Sequence, residues 1–333
     1  MRHCRLGSLF VLMASCVMGT FAAPAAHGPA GQGSTTPAAR GWTPPRTPWG
    51  EPDLQGVWSY ATLTPLERPA SQAGRTVLTD EEVAALDREA LTGADRRDGS
   101  ADADLARAYN ALWYDWGRSD GRTSLIVDPA DGRLPPLTEA GQRRYPPGWS
   151  FLAGSGFDSY ENRPLPERCM TYHGVPPLPS GYNSTYQIFQ TPGYVAIVDE
   201  NIHDVRQIPL DGMPHLDPKI RQWNGDSRGH WEGNTLVVET TNYSAKTILR
   251  FPAAGETVRA VERFTRVAPR RIDYRFTITD PATYTRPWSA ALPMVNLPEY
   301  VIYEYACHEG NYAIANALSG ARAHDRAAAG VAR

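Results

Sequence analysis

The chain has only two lysines, Lys219 and Lys246, and it contains no run or stripe of basic residues. Arginine supplies the rest of the positive charge, and 33 basic residues against 36 acidic ones leave a net charge of -3. A protein that binds a phosphate backbone concentrates Lys and Arg on one face or in one segment. The sequence therefore argues against nucleic acid as a partner.

Short motifs for nucleotide cofactors and metal ions are also missing. There is no dinucleotide fingerprint and no phosphate-binding glycine loop, so we expect no nucleotide cofactor. The spacings His-x-His and His-Glu-x-x-His are absent as well. We therefore predict no cofactor and no metal site, although histidines from separate strands can converge on a metal.

Long hydrophobic runs are absent beyond the N-terminus. Residues 1–5 are basic, residues 6–21 are apolar, and Ala22 and Ala23 fit a small-residue cleavage site. This pattern predicts a signal peptide over residues 1–22 and a periplasmic or secreted protein with no transmembrane segment. Cys16 follows a poor version of a lipoprotein box, so a lipoprotein is the alternative.

Cysteine is scarce too, with four in the chain, of which Cys4 and Cys16 lie in the predicted signal peptide. Cys169 and Cys307 would remain in the mature protein. In an oxidising compartment a lone pair of cysteines is most simply a disulfide. Two free, buried thiols are the alternative.

Glycine and proline are abundant, at 29 each, and they predict many turns and few long helices. Residues 23–50 read as a disordered Pro/Ala/Gly linker and residues 324–333 as a frayed tail. Between them we predict a single β-rich domain over residues 51–323. A helical segment at about 79–116 begins with a capping box at Thr79 and Glu82 and includes a second helix at 104–116.

Period-two patterns and turn signals predict an antiparallel meander in the second half of the chain. The predicted strands cover residues 186–190, 194–198, 203–209, 235–241, 257–267, 271–278, 288–294 and 300–306, with short ones at 56–58 and 124–127. Several of these strands mix polar and apolar residues on each face, as Glu262 and Phe264 do. The fold class we predict is mainly β: an antiparallel barrel-like (lipocalin/calycin-like) or strongly curved sheet with a few covering helices.

The most unusual stretch is residues 221–243. Asp226, Arg228, His230 and Glu232 occupy every second position, and on an extended chain they point to the same side. An acid, a base, an imidazole and a second acid are costly to bury together and ordinary if solvated. Their burial should therefore decide whether this face carries chemistry.

Residues 225–243 (GDSRGHWEGNTLVVETTNY), with DGMPH before and YEYACHEGNY after, resemble a widespread family of secreted bacterial proteins. That family shares a Gly-x-Ser-x-Gly-x-Trp-Glu-Gly-Asp-Thr-Leu-Val-Val-Glu-Thr core, and Asn234 here takes the place of Asp in the turn. The resemblance extends over residues 52–322 and transfers no particular activity. Gly56-Val57-Trp58 is in addition similar to the Gly-x-Trp on the first strand of lipocalins.

Five histidines fall in the predicted domain, and histidine is the usual acid/base group near neutral pH. Four of them, His203, His215, His230 and His308, have a carboxylate within two residues. His230 is the first candidate and His203 and His308 follow, and for any single one the alternative is a turn or surface histidine that only forms hydrogen bonds. His215 ranks below them and His173 last. The catalytic residues we predict are His230, His203, Asp226, Glu304 and His308.

Arginines and aromatic residues near these positions could contact a ligand. The predicted substrate-binding residues are Arg228, Trp231, Tyr186, Tyr194, Tyr303 and Arg206. For the arginines, ion pairs that brace the barrel are an equal alternative. Ser227 lies in a Gly-x-Ser-x-Gly sequence, but a nucleophile elbow needs a helix after it and the sequence predicts a strand or turn there.

These observations favour a cofactor-independent enzyme that performs acid/base chemistry, of isomerase, hydratase, lyase or cyclase type, on a small, partly apolar molecule. The alternatives are a non-catalytic, lipocalin-like carrier of a hydrophobic ligand and a structural envelope protein. An enzyme requires a histidine–carboxylate pair within hydrogen-bond reach beside the ligand site, whereas a carrier does not.

Overall fold

Ten strands form one antiparallel sheet in the part of the chain that the computed structural model describes, residues 42–93 and 114–331. The signal peptide, linker residues 23–41 and helix residues 104–113 that the sequence predicts lie outside these ranges. The strands are β1 (Gly56–Ser59), β2 (Ile126–Asp128), β3 (Thr185–Thr191), β4 (Tyr194–Asp199), β5 (Val205–Pro209), β6 (Asp226–Glu232), β7 (Thr235–Thr241), β8 (Arg259–Ala268), β9 (Arg271–Thr279) and β10 (Trp288–Asn296).

Nine of these strands follow one another in the order β5-β4-β3-β1-β10-β9-β8-β7-β6, and β2 pairs with β10 beside this path. The sheet curls until its two end strands, β5 and β6, approach each other without a main-chain ladder between them. The result is a nearly closed, barrel-shaped antiparallel sheet. The predicted fold class is confirmed.

Local sequence explains the regular half of the barrel. The loop between β6 and β7 has two residues, Gly233 and Asn234, and Gly233 has a φ of 60°, which glycine adopts without a side-chain clash. Within β10, Pro293 cannot donate a main-chain hydrogen bond. It lies between the residues that pair with β2, up to Ala290, and those that pair with β1, from Val295.

The interior is filled by large apolar and aromatic side chains. Trp288 is central, with its ring 5.0 Å from that of Phe251 and 5.6 Å from that of Phe276. Trp58, from the Gly-x-Trp sequence, is fully buried and donates its indole N–H to the carbonyl of Leu54 at 2.8 Å. Removing such side chains from water supplies most of the driving force for folding, at about 25 cal/mol per Å² of apolar surface.

Three helices of the described residues flank the sheet: α1 (Asp80–Gly93), α2 (Glu139–Arg144) and α3 (Ala313–Val331). The predicted capping box is present, because Glu82 N donates to Thr79 Oγ1 at 3.3 Å and Thr79 N donates to Glu82 Oε2 at 2.8 Å. Residues 114–116, predicted to end a helix, are not helical. The sequence predicts the last helix at about 312–322, but α3 continues to Val331, which its alanine-rich sequence favours.

Two further expectations differ from the structure. Residues 300–306 do not form a strand, because the chain leaves β10 at Asn296 and both β10 and its neighbour β1 already have partners on both sides. The predicted linker ends earlier than residue 50, since Arg46 pairs with Pro52 and the Thr47 side chain is buried. Residues 42–50 therefore belong to the part of the domain that the structure describes.

Cys169 and Cys307 form a disulfide with a Cα–Cα distance of 5.7 Å, as the sequence predicts. The bridge joins the segment before α3 to the long irregular segment before β3. A disulfide of this kind is typical of proteins from oxidising compartments, which agrees with the predicted location. None of the helices in the described ranges has the length and apolarity needed to span a bilayer.

A buried ion pair connects the two ends of the sheet. Arg206 on β5 donates from Nη1 to Glu262 Oε1 at 3.0 Å, its Nη2 contacts Oε2 of the same carboxylate, and Glu262 is 0% exposed. The guanidinium also donates to Ser227 on β6 at 2.8 Å and to Thr240 on β7 at 2.7 Å. Tyr274 on β9 donates to Glu262 at 2.8 Å. We call these five residues the barrel clasp.

Removing only one of the two charged residues of the clasp should lower the stability of the fold. Glu262→Ala leaves the buried Arg206 guanidinium without a counter-charge, and we expect a loss of about 3–5 kcal/mol in the free energy of unfolding, measured with urea. The double variant Arg206→Met/Glu262→Leu should lose less than Glu262→Ala alone, because neither charge is then left buried.

An exposed pair supplies the control. Glu232 contacts Arg263 at 2.6 Å on the outside of the barrel, and both side chains are largely exposed. Glu232→Ala should cost at most about 1 kcal/mol. Equal losses for Glu262→Ala and Glu232→Ala would show that the clasp does not hold the barrel closed.

Candidate functional site

The alternating row on β6 faces outward. Ser227, Gly229 and Trp231 point to the interior, while the His230 side chain is 62% exposed and its Nε2 lies 3.2 Å from Glu232 Oε1. His230 and Glu232 are therefore solvated and do not line the interior. The period-two pattern shows which residues share a face, but the small and aromatic residues between them decide which face is buried.

Asp226, at the start of the row, is buried from outside by the segment that precedes β6. His215 Nδ1 lies 2.8 Å from Asp226 Oδ2, and Leu216 N donates to the same oxygen at 3.1 Å. Arg228 pairs with this carboxylate too, with Nε 3.3 Å from Oδ2. Asp226 and Arg228 thus form part of an ion-pair cluster on the outer face.

The other predicted site residues are dispersed. Tyr303 (70% exposed), Glu304 and His308 lie on the surface, and Tyr194 is half exposed on the outside of β4. Tyr186 is buried, and Trp231 packs at the margin of the core. Arg206 uses four of its five N–H groups in the clasp, which leaves little to offer a ligand.

His203 ends a short 3-10 turn, Asn201–His203, and its side chain lies outside the described residues. The structure therefore does not bring the predicted catalytic residues together. Their roles in catalysis remain predictions. The geometry instead directs attention to the histidine that the sequence ranks last.

His173 is 1% exposed and lies in the irregular segment between α2 and β3. Its Nδ1 lies 2.7 Å from the hydroxyl of Tyr60, just after β1, and 3.2 Å from Oδ2 of Asp199, the last residue of β4. Its Nε2 lies 3.1 Å from Ser180 Oγ, shortly before β3. Tyr60 OH also donates to Asp199 Oδ1 at 3.2 Å. We call these four residues the His173 network.

The network can hold a proton in more than one place. Ser180 Oγ donates to the carbonyl of Tyr182 at 2.7 Å, so its lone pairs face Nε2 of His173. In this state Nε2 carries a hydrogen and donates to Ser180. If Tyr60 instead donates to Asp199, Nδ1 can carry the hydrogen and donate to the same carboxylate, and Nε2 then becomes an acceptor that faces Ser180 Oγ at 3.1 Å. A histidine with these two states is suited to acid/base chemistry.

Burial raises the pKa of the Tyr60 hydroxyl well above its usual value, and the negative charge of Asp199 raises it further. Tyr60 therefore stays protonated at neutral pH and acts in the network as a hydrogen-bond donor. Its ring contacts Tyr186 at 4.8 Å between centroids and His173 at 5.5 Å. These contacts fix the direction of the hydroxyl.

Half-buried aromatic rings and one arginine surround the network. The ring of Tyr172 lies 5.1 Å from that of His173 and 6.3 Å from that of Tyr182, and the planes of the two tyrosines are 9° apart. The guanidinium of Arg250 lies 5.2 Å from Tyr172 and 5.1 Å from Phe151. Burial lowers the pKa of Arg250, and the neighbouring tyrosine hydroxyls oppose this effect.

Polar groups without partners occur beside Asp199. Glu200 and Asn201 are each 1% exposed. Glu200 Oε1 accepts from Tyr300 OH at 2.7 Å, but Oε2 has no hydrogen-bond partner among the described residues, and neither atom of the Asn201 amide has one. Buried polar atoms are rarely left without a partner, and such exceptions tend to occur at functional positions.

Sequence reasoning missed His173 because no carboxylate is near it in the chain. Asp199 is 26 residues away and Tyr60 is 113 residues away. One signal was present. Residues 134–180 carry few regular elements and many prolines and glycines, and irregular segments of this length in compact domains are usually functional.

The described residues form neither a metal site nor a nucleophile elbow. No group of three His, Cys, Asp or Glu side chains converges there in a way that could hold a metal ion. Ser227 is not a nucleophile elbow, because its Oγ bonds to Arg206 and Thr240 inside a β-hairpin.

Comparison of the chain with protein-family models, with curated proteins and with solved structures found no match. The family resemblance of residues 225–243 therefore stays a prediction. The function has to be argued from the geometry of the site.

The buried tyrosines make stability sensitive to high pH. Burial raises the pKa of Tyr60, Tyr186 and Tyr274 well above 10.0 in the folded protein. In the unfolded chain these hydroxyls ionise near pH 10. Above that pH the folded state holds more protons than the unfolded state, so the stability is fully present below pH 10 and falls as the pH rises beyond it.

We expect the urea midpoint to decline steeply above about pH 10, with absorbance at 295 nm from these tyrosines appearing together with unfolding. Tyr186→Phe should remove about one of the protons that are released on unfolding. The free energy of unfolding should then fall less steeply with pH, by about 1.4 kcal/mol per pH unit. Complete ionisation of all tyrosines in the folded protein would contradict this expectation.

Proposed function

We propose that the protein is an enzyme that performs acid/base chemistry on a small, partly apolar molecule, with His173 as the group that exchanges the proton. The observation that carries the proposal is the buried hydrogen-bond network of His173, Tyr60 and Asp199 next to a half-buried aromatic surface. Isomerisation, hydration and elimination are reactions of this class. This is the function that the sequence favours, but the proton transfer is assigned to His173 instead of His230.

In the base form, Nδ1–H of His173 donates to Asp199, and Nε2 accepts a proton from the substrate. The carboxylate of Asp199 then stabilises the imidazolium, and Tyr60 stabilises the carboxylate by donating to Oδ1. The same nitrogen returns the proton to a different atom of the substrate, or to a leaving group. No cofactor is needed for such a transfer, which is expected to contribute about 10²- to 10⁴-fold to the rate.

A non-catalytic carrier remains the alternative that the same aromatic surface would serve. A carrier needs the apolar area and Arg250, but it has no use for a histidine between a carboxylate and a tyrosine. The pairing of the imidazole with a carboxylate therefore favours catalysis over transport.

The proposal is tested by finding a ligand and then replacing the histidines. A metabolite screen by thermal shift identifies compounds that raise the melting temperature by mass action. With a compound that is converted, His173→Gln should lower turnover at least about 100-fold, and Asp199→Asn should also lower it, because each loses proton transfer at Nε2. His230→Gln, on the outer face, is the matched control and should retain wild-type turnover.

Circular dichroism establishes that each variant is folded. Tyr60→Phe keeps the ring and removes only the hydroxyl, so it serves as a milder probe if His173→Gln proves unstable. Full turnover by folded His173→Gln would exclude the proposal. Loss of turnover in His230→Gln alone would return the catalytic role to the residue that the sequence favours.

A second candidate function rests on the order Ser180, His173, Asp199, which is the order of a serine nucleophile, its base and the orienting acid. The donor direction opposes it, because the Ser180 hydroxyl donates to the carbonyl of Tyr182 instead of to Nε2. We therefore assign Ser180 a positioning role.

Labelling separates the two candidates. An alkyl fluorophosphonate should leave the protein unmodified by mass spectrometry, and Ser180→Ala should keep turnover within about tenfold of wild type, since Nε2 remains available to the substrate. Ser227→Ala serves as the control for labelling at the Gly-x-Ser-x-Gly sequence. A phosphonate adduct on Ser180, together with loss of turnover in Ser180→Ala, would identify a serine hydrolase instead.

A further inference from the structure

Arg250 is the charged residue next to the His173 network that the acid/base chemistry does not use. It is half-buried, and only one of its nitrogens, Nη1, has a hydrogen-bond partner among the described residues, the carbonyl of Leu178 at 2.9 Å. No carboxylate in the described ranges forms an ion pair with it. Removing a guanidinium from water without a counter-charge is costly, so its position favours the binding of an anion.

Other buried arginines of the described residues show what a structural role looks like. Arg206 has Glu262, Arg163 has Glu167 at 2.8 Å, and Arg122 pairs with Asp120. Each of these guanidinium groups is neutralised by a carboxylate of the chain itself. Arg68 is buried without an ion pair in the described ranges, but it donates to Thr123 and to the carbonyls of Ala130 and Asp131. Arg250 has neither a carboxylate nor such a set of acceptors among the described residues, and it lies beside the candidate catalytic histidine.

Arg266 provides the closest comparison. Its guanidinium also lies against an aromatic ring, that of Trp58 at 5.3 Å, and it has no ion-pair partner in the described ranges. It differs because it donates to two main-chain carbonyls, those of Asp53 at 2.9 Å and Pro269 at 2.7 Å. Both Nη atoms of Arg266 thereby have acceptors, and only its buried Nε has none among the described residues. Arg250 has an acceptor at Nη1 alone.

The surroundings of Arg250 are aromatic. Phe151 and Tyr172 each lie about 5 Å from its Cζ atom, and Tyr182 lies nearly parallel to Tyr172. Such rings bury a flat apolar group at low conformational cost, and the fork of an arginine matches the two oxygens of a carboxylate. Tyr172 contacts both Arg250 and His173, so a molecule held by the arginine lies within reach of the imidazole.

We propose that Arg250 binds the carboxylate of a small aromatic carboxylic acid, with the ring of that acid against Tyr172 and Phe151 and its reactive carbon toward His173. This assignment rests on the proposed function and names its substrate class. Binding places the negative charge of the ligand on the one guanidinium that the described residues bring to the site, and the aromatic rings exclude water from the ion pair.

The experiment measures binding of benzoate and of benzamide by calorimetry, without turnover. Benzamide has nearly the same shape but no charge. Wild type should bind benzoate at least tenfold more tightly than benzamide. Arg250→Met should weaken benzoate binding at least tenfold and leave benzamide binding unchanged, and Arg250→Lys should lie between them because it keeps the charge but loses the two-pronged geometry. Arg266→Met is the matched control and should bind benzoate as wild type does.

The outcomes separate this inference from the proposed function. His173→Gln should still bind benzoate within about threefold of wild type, because the histidine does not hold the carboxylate. Equal benzoate binding by wild type and folded Arg250→Met, or no preference of wild type for benzoate over benzamide, overturns the inference and leaves the acid/base proposal standing. Normal turnover by His173→Gln with intact benzoate selectivity overturns only the acid/base proposal.

Discussion

A buried ion pair connects the barrel where the main chain does not. β5 and β6 end the sheet without a ladder between them, and Arg206 spans that gap to reach Glu262. Because the guanidinium also bonds to side chains of β6 and β7, one residue of β5 is attached to three strands of the opposite end. The position of β5, and of β4 beside it, depends on this contact.

The dependence extends to the candidate site. Asp199 is the last residue of β4, and the turn that follows it leads directly into β5. Any opening of the clasp would shift the end of β4 and with it the carboxylate that faces His173. The geometry of the His173 network therefore requires an intact clasp. The two groups of residues lie in different parts of the interior.

Tyr186 stands between the two polar clusters. Burial raises the pKa of its hydroxyl, and the negative charges of Asp199 and Glu262 both raise it further. Its ring also packs against Tyr60. Two of the buried acids thus act on the same tyrosine, and each of the two has its own base: Arg206 for Glu262 and His173 for Asp199. A guanidinium is permanently charged, whereas an imidazole is the side chain suited to gaining and losing a proton.

Periodic patterns made the sheet predictable. The strand predicted at residues 235–241 has the bounds of β7, and the capping box at Thr79 and Glu82 identifies the start of α1. These features depend on residues that are close together in the chain, so the local sequence is enough to predict them. Residues 300–306 have a strand-like composition, but the strands nearest to them in the chain, β1 and β10, already have two partners each, and this pairing is a property of the assembled sheet.

The site could not be predicted in the same way. His230 has a carboxylate two residues away, and this proximity resembles a catalytic pair, yet on β6 it only places both groups on the exposed face. His173 obtains its partners from β1, from β4 and from the turn before β3. This convergence depends on which strands are neighbours in the sheet, and the local sequence around His173 does not predict that.

The irregular segment that carries His173 is held in place by side chains of the barrel. Its main-chain carbonyls accept from Tyr243 at Val175, at 2.8 Å, and from Arg250 at Leu178, at 2.9 Å. Buried main-chain groups need such partners when no ladder supplies them. The segment is thereby fixed as firmly as a strand would be, which a catalytic group requires.

Arg250 contacts both the irregular segment and the aromatic surface next to His173. One prong of its fork fixes Leu178, two residues before Ser180, and the other prong faces the aromatic surface next to His173. An anion that neutralises the guanidinium would strengthen the hold of Arg250 on the segment, since a paired arginine loses its tendency to turn toward water. Under the proposal, ligand binding at Arg250 and the position of the segment that carries His173 would then be coupled.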